Sequence, residues 1–239
     1  KYIKEKKSEK PHFVLIKADF SGIQNFIFDI DTKGAAKQLK GRSFYLVMLS
    51  RIIAQKIIDD LDLHEANILY NGGGNFYILA PQSKKEKFKE CRAEILEAML
   101  KHHKGDIYSA IASIDLKIQD IVNFGENWDK ISKETNKLKQ KKWQELDLQK
   151  NYEDIFTPEE KLLDAEKVCD YCGFEIKKEY KDVYKNKEKV ICSDCGFYIE
   201  FTKEFVNKNG VFLSRTIEKD DKDFFQKLGY KISFCNEKP

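Results

Sequence analysis

Four cysteines restrict what this chain can fold into more tightly than any other feature. Cys169-Asp170-Tyr171-Cys172 and Cys192-Ser193-Asp194-Cys195 form two C-x₂-C pairs with nineteen residues between them, and each pair is followed by glycine, Gly173 and Gly196. Two-residue spacing lets both thiolates of a knuckle reach one ion, and the glycine leaves room for N–H···S contacts. Four thiolates suit a closed, tetrahedral structural zinc site with no open coordination position, so Cys169, Cys172, Cys192 and Cys195 are the expected metal ligands. Two disulfides are the competing reading, but they need an oxidising compartment, and no secretion signal is read in the sequence. A redox-active pair belongs at the strand–helix junction of a thioredoxin-like unit, whose pattern is absent. The intervening Glu175 to Val190 reads as a small lysine-rich hairpin, and Cys235 has no partner pattern. A zinc knuckle serves many functions and names none of them.

The second constraint is Asn71-Gly72-Gly73-Gly74-Asn75, flanked by Asn67-Ile68-Leu69-Tyr70 and Phe76-Tyr77-Ile78-Leu79-Ala80. Two short runs rich in β-branched and aromatic residues, joined by glycines, read as a β-hairpin. It is either a plain tight turn or a tip whose bare backbone lets a ligand approach.

Around these two features the chain reads as an α+β protein. Phe13-Val14-Leu15-Ile16 starts a strand ending at Asp19; Ser21-Gly22 breaks it, and Ile23, Phe26, Ile27 and Ile30 recur at helical spacing with Ser21 as the expected N-cap. A capped helix after a strand is either an ordinary βα turn or an anion site made by free N–H groups. Lys33 to Arg42 reads as a basic, small-residue loop, and Ser43 as the cap of a helix striped by Leu46, Leu49, Ile52, Ile53, Ile57 and Leu61. After the hairpin, Lys84 to His103 forms an amphipathic helix with Cys91 on its apolar stripe, and His102 and His103 at its end are given the helix dipole rather than a metal. Gly105 ends it, and Ile107 to Lys117 alternates as a strand. The order β-α-α-β-β-α-β implies helices over one face of an antiparallel sheet. Asn127 to Lys150, polar and lysine-rich with Ile131, Leu138 and Trp143 as its few apolar anchors, reads as a surface helix; Thr157-Pro158 reads as a further helix start. Short strand-like runs at Val211–Leu213 and Tyr230–Phe234 close the chain, either packed back on what precedes them or leading to another domain.

Of 239 residues, 35% are charged and 41% apolar, and 43 basic against 40 acidic side chains leave +3, too balanced to argue nucleic-acid binding. No apolar run approaches a membrane span, so a soluble, cytoplasmic protein is expected. Lys1 to Lys10 is a charge run read as a tail, and the absence of an initial methionine is consistent with a piece of something larger.

Three ordered segments resemble one family, the large subunit of type III-A CRISPR effector complexes. They are Lys17-Ala18-Asp19-Phe20-Ser21-Gly22-Ile23-Gln24-Asn25-Phe26-Ile27, Lys40-Gly41-Arg42-Ser43-Phe44-Tyr45-Leu46 and Tyr70-Asn71-Gly72-Gly73-Gly74-Asn75-Phe76, with the four cysteines following where the family carries them. The resemblance covers nearly all of the chain from about residue 13. It implies a ferredoxin-like palm of the nucleotide cyclase and polymerase type with an appended four-cysteine zinc domain: 1–12 tail or linker, 13–160 first palm, 161–205 zinc domain, 206–239 linker toward a following domain. The family's complexes convert ATP to cyclic oligoadenylates between two palms when target RNA binds, and an HD domain is implicated in single-stranded DNA cleavage.

Neither centre is read here. None of His12, His64, His102 and His103 is followed by aspartate, and where the catalytic palm carries Gly-Gly-Asp-Asp this hairpin has Gly72-Gly73-Gly74-Asn75. One carboxylate, Asp19, cannot assemble a two-metal centre. The resemblance therefore implies nucleotide binding without independent catalysis, through Asp19, Ser21, Gly22, Gln24, Gly72, Gly73, Gly74 and Asn75. The implied cofactors are structural Zn²⁺, and ATP with Mg²⁺ as substrate of the complete two-palm protein. The implied partners are the other effector subunits, guide RNA, target RNA and the second palm. Asp19 is read equally as a helix N-terminus partner, and Gln24 alternatively as a solvent-facing residue. The functional alternative is a scaffold or RNA-binding module without a nucleotide.

Overall fold

The computed structural model describes residues 9–30, 36–122, 124–156, 168–176, 180–184, 187–208, 210–217 and 223–236. The start of the tail, residues 33–35 of the basic loop and the Thr157-Pro158 helix start lie outside them. The chain divides into two compact units, Lys1–Gly22 with Leu49–Thr157, and Ile23–Met48 with Pro158–Pro239.

In the first unit, β1 (Phe13–Ser21), β2 (Ile68–Gly72), β3 (Asn75–Pro81) and β4 (Tyr108–Leu116) make one antiparallel sheet in the order β2-β3-β1-β4. With α2 (Ala36–Asp60) between β1 and β2, and α3 (Lys85–His103) between β3 and β4, this is the expected ferredoxin-like arrangement. Alternation divides the sheet into two faces. Val14, Ile16 and Ala18 of β1 and Phe76, Ile78 and Ala80 of β3 are buried on one, as are the stripes Leu49, Ile52, Ile53 and Ile57 of α2 and Phe88, Ile95, Leu96 and Met99 of α3.

The opposite face is covered too, which corrects the expectation of helices on one face only. The lysine-rich segment folds as α4 (Phe124–Gln140), and its Ile131 is fully buried in a cluster with Leu15, Tyr77, Ala112, Ile114 and Leu116. Phe124, Trp128, Ile131, Thr135 and Leu138 recur every three or four residues, a narrow stripe that overall polarity conceals. Trp128 stacks on Tyr77 with ring centroids 3.8 Å apart, while Lys17 lies over the Tyr77 ring and donates to Ser132 Oγ at 2.9 Å. The helix stops at Gln140 rather than running to Lys150. Trp143 then takes a left-handed φ of +67° that brings its ring edge-on to Tyr108. A short α5 (Tyr152–Phe156) follows.

The second unit contains α1 (Ile23–Phe28), the first half of α2, the hairpin β5 (Tyr180–Tyr184) and β6 (Lys187–Ile191), then α6 (Ser193–Asn207), β7 (Gly210–Arg215), α7 (Phe224–Lys227) and β8 (Tyr230–Cys235). Here α2 begins at Ala36, so Ser43 lies inside a helix rather than capping one. Gly41, which reads as part of a loop, is a contact point: a Cβ there would sit 2.1 Å from the Tyr198 carbonyl oxygen. Aromatic rings fill the remaining space. Phe44 stacks on Phe205 at 4.0 Å, Tyr45 meets Tyr198 and Phe225, and Phe201 meets Phe234 edge-on. The closing β7–β8 pair therefore packs in the same unit as α6. Among the described residues no helix is long and apolar enough to cross a membrane.

Candidate functional site

The hairpin tip is a two-residue turn, Gly73 at φ +61° and Gly74 at φ +80°, with Gly72 opposite Asn75. Two successive positive φ values match the type I′ twist that joins antiparallel strands without splaying them, which is why glycines stand there. A Cβ on Gly73 would meet only Asn75 Nδ2, at 4.0 Å, so this part of the tip is sterically open. The hairpin is tied down on both flanks. Ser50 Oγ donates to Asn71 Oδ1 at 2.9 Å, and the Phe20 N–H donates to the Gly74 carbonyl at 3.0 Å.

That second bond sets the tip beside the end of β1, where Asp19 and Asn75 are direct register partners. Neither sequence reading of Asp19 describes its contact here: Lys139 of α4 reaches it, Nζ to Oδ1 2.7 Å, with both side chains about a quarter exposed. Among the described residues no histidine, cysteine, aspartate or glutamate converges with Asp19 in a group of three or more metal-ligating side chains. Ser21 is still in the strand and does not cap α1; its Oγ is buried without a hydrogen-bond partner among the described residues. Gly22 turns the chain at φ +88°, where a Cβ would lie 1.9 Å from the Asp106 carbonyl oxygen. Its glycine is thus required by packing, whatever else it contacts. With six residues, α1 matches the reading of an ordinary βα turn better than that of an anion site. Gln24 is exposed on that helix, in the second unit. The fold brings together Asp19, Asn75 and the glycine tip, with Ser21 ending the same strand and Gly22 in the turn after it.

The second candidate centre is the cysteine cluster. The sulfurs of Cys169, Cys172, Cys192 and Cys195 all lie within 4.8 Å of one another, and Cys172 Sγ to Cys192 Sγ is 3.7 Å. A tetrahedron of Zn–S bonds of about 2.3 Å has sulfurs roughly 3.8 Å apart, so the donor set fits zinc in kind, number and spacing. Crowding by the other three sulfurs, then burial, pushes the Cys195 thiol far above its ordinary range. Four thiolates this close are tolerable only around a cation. The N–H groups of Tyr171 and Cys195 point at Cys169 Sγ and Cys192 Sγ, both at 3.5 Å. The two glycine N–H groups instead close the knuckles onto the carbonyls of Cys169 and Cys192.

Sequence reasoning missed the residues that surround both centres. Lys139 gave no signal, being one of many lysines on a polar helix. Arg42 and Gln38 of α2, which reach Cys195 through its sulfur and its carbonyl, fell in a stretch read as loop. A glycine inside an otherwise helix-forming run was the available hint of close packing there.

The family model of Csm1 subunit domain B matches residues 12–161. A curated relative, the CRISPR system single-strand-specific deoxyribonuclease Cas10/Csm1 (subtype III-A) of Methanocaldococcus jannaschii, is 34% identical over 207 residues, covering 81% of this chain and 25% of the relative. Among solved structures, a Csm1-Csm4 cassette in complex with one ATP is 28% identical with a TM-score of 0.53, covering 59% of this chain and 20% of that one. A cassette in complex with cA3 is 27% identical with a TM-score of 0.53, covering 62% and 22%. The chain thus spans about a quarter or less of the proteins it matches.

Proposed function

The chain belongs to the Csm1 family, whose subunit domain B it carries over residues 12–161, and on that premise we propose that it is the non-catalytic palm and zinc module of a type III CRISPR effector large subunit. In this reading it contributes one ATP-binding half of a cyclic oligoadenylate synthase site. The observation that supports it is the company of Asp19: its register partner is the amide Asn75 rather than a second carboxylate, and its ion-pair partner is Lys139. Two-metal phosphoryl transfer needs carboxylates to hold divalent ions near the attacking and leaving oxygens, and the hairpin supplies none. An amide at Asn75 keeps hydrogen-bonding capacity while giving up metal affinity.

The nucleotide contacts proposed are Asp19, Ser21, Gly22 and Gly72 to Asn75, with Gln24 included on its sequence position alone. Solved relatives bound to ATP and to cA3 support the substrate class, and their pairing with Csm4 supports other effector subunits as partners. Guide RNA, target RNA and a second palm complete the proposed assembly. Zn²⁺ is the proposed structural ion, and ATP with Mg²⁺ is the proposed substrate of the complete two-palm protein. The organisation proposed is a palm at 13–160, a zinc domain at 161–205 and a linker at 206–239 leading toward a following domain, with residues 23–48 and the β7–β8 pair sharing one compact unit with α6. The whole protein's nuclease activity is proposed to lie outside this chain.

The test is a titration with ATP and Mg²⁺ while following the Ser21 and Asn75 amides by NMR, alone and with the second palm added. Perturbation of both amides with no cyclic product from this chain alone is expected. Silence of both amides under both conditions would remove the nucleotide reading. A scaffold role is favoured by one observation: α4 covers the sheet face on which Asp19 lies. Under that reading the amides stay silent, and RNA or neighbouring subunits are captured instead.

A further inference from the structure

We propose that Arg42 is a positioning residue of the metal centre, and that through it the bound ion holds α1 in place. Arg42 is 7% exposed. Its Nη2 points at Cys195 Sγ at 3.8 Å, and its Nη1 donates to the carbonyls of Phe26 at 2.6 Å and Asp29 at 3.3 Å. The guanidinium carbon lies over the rings of Phe26 and Tyr198, 5.4 and 5.6 Å from their centroids. Among the described residues it has no carboxylate partner, and its Nε, buried, donates to nothing. Among the described residues, the one group this buried cation meets that becomes anionic on binding a metal is therefore the Cys195 sulfur.

The charge arithmetic makes that contact metal-dependent. Four thiolates around Zn²⁺ carry a net charge of about −2, and a guanidinium at the edge of the cluster offsets part of it. Once the ion leaves, nothing holds the four sulfurs together at the edge of the Arg42 slot, and the buried guanidinium loses its compensating partner, an arrangement that proteins avoid. Removing the metal should then expel Arg42 from its slot.

What Arg42 holds is the end of α1. The last carbonyls of a helix have no partner within it, and here Asn25 and Phe28 are served by the N–H groups of Asp29 and Ile30, while Phe26 is served by Arg42. Ile30 packs against the cysteine cluster itself. The α2 backbone is pinned on the same side: Gln38 Nε2 donates to the Cys195 carbonyl, Thr202 Oγ1 donates to the Lys37 carbonyl at 2.7 Å, and Gly41 admits the Tyr198 carbonyl where a Cβ would collide. These contacts join α1, the start of α2 and the second knuckle into one block, with Arg42 the member whose charge answers to the ion.

The inference rests on the cysteines binding a metal, and the experiment separates the two. The full chain, reduced and metal-free, is titrated with Co²⁺, reading the thiolate-to-cobalt charge-transfer and ligand-field bands, for wild type, Arg42→Gln and Arg42→Lys. Loss of about 10–100-fold in Co²⁺ affinity is expected for Arg42→Gln, with Arg42→Lys between it and wild type. In wild-type protein, hydrogen exchange with and without Zn²⁺ should show the Asp29 and Ile30 amides losing protection on chelation while those of β1 and β4 keep theirs. That measurement does not depend on any variant folding. Wild-type affinity and an unchanged spectrum in Arg42→Gln would overturn the proposal, as would Asp29 and Ile30 amides indifferent to Zn²⁺. If wild type showed no cobalt–thiolate bands at all, the metal reading itself would fall, and this inference with it.

Discussion

Gly22 offers the sharpest test of how the palm is built, because two explanations of the same residue predict different outcomes for Gly22→Ala. If glycine is there only to admit a nucleotide, alanine should leave stability nearly unchanged and weaken ATP binding. The structure argues otherwise. At φ +88° a Cβ would lie 1.9 Å from the Asp106 carbonyl oxygen, and reaching an ordinary contact of 3.4 Å would need about 1.5 Å of backbone movement. That movement would pull apart the Ser21–Tyr108 end of the β1–β4 ladder and the turn in which Asp106 N–H donates to His103. A left-handed alanine costs about 1–2 kcal/mol, and overpacking about 1–3 more, so the total is on the order of 2–5 kcal/mol.

Gly73→Ala is the matched control. Its φ is also positive, but its Cβ would meet only Asn75 Nδ2 at 4.0 Å, so the conformational cost of about 1–2 kcal/mol stands alone. Urea unfolding followed by tryptophan fluorescence reads the relevant unit selectively, because both tryptophans, Trp128 and Trp143, belong to it. Gly22→Ala should unfold at clearly lower urea than Gly73→Ala, by about 1–3 kcal/mol at equal slope. Equal midpoints for the two variants would refute the close approach to Asp106 and leave the ligand explanation standing.

Ile131→Ala, at a fully buried position on α4, should cost about 2–5 kcal/mol by the same fluorescence assay; a loss under 1 kcal/mol would mean that α4 does not cover the sheet. Burial, followed by the charge of His102, pushes His103 down to about 3. The unfolded chain protonates this residue below about pH 6.5 and the folded chain does not, so its contribution is present above 6.5 and is lost as pH falls toward 3. At pH 5 the loss is about 2 kcal/mol, and His103→Gln should flatten that part of the pH–stability curve; parallel curves would contradict it. The Asp19–Lys139 pair is partly exposed, so Asp19→Asn should change the unfolding free energy by less than about 1 kcal/mol while altering any ATP titration. Chelation should release one Zn²⁺ per chain and lower the melting of the second unit seen by circular dichroism, with the tryptophan signal little affected; a release ratio near zero would count against the four-cysteine assignment.

Much of the fold could be read from local pattern. The glycine turn, the strands beside it, the long helices and the two knuckles are all encoded within a few residues of themselves, by φ requirements, by period and by thiolate spacing. The absence of a carboxylate at the hairpin tip was legible for the same reason, since Asn75 is one letter in one place. Ser21 misled because a serine before a helix is the usual cap, whereas here the strand runs through it and a positive φ at Gly22 makes the turn.

What the sequence by itself determined, then, is which local pieces exist and which ion suits them. What only the tertiary structure decided is who faces whom. The stripe on α4 is visible as periodicity, but one-dimensional pattern does not say that it closes the second face of the sheet and delivers Lys139 to Asp19. Arg42 and Cys195 are 153 positions apart, and nothing local to either tells an arginine that its counter-ion is a sulfur. Such pairings arise when the chain buries its apolar stripes together, and the polar groups carried along must find partners in the space that remains.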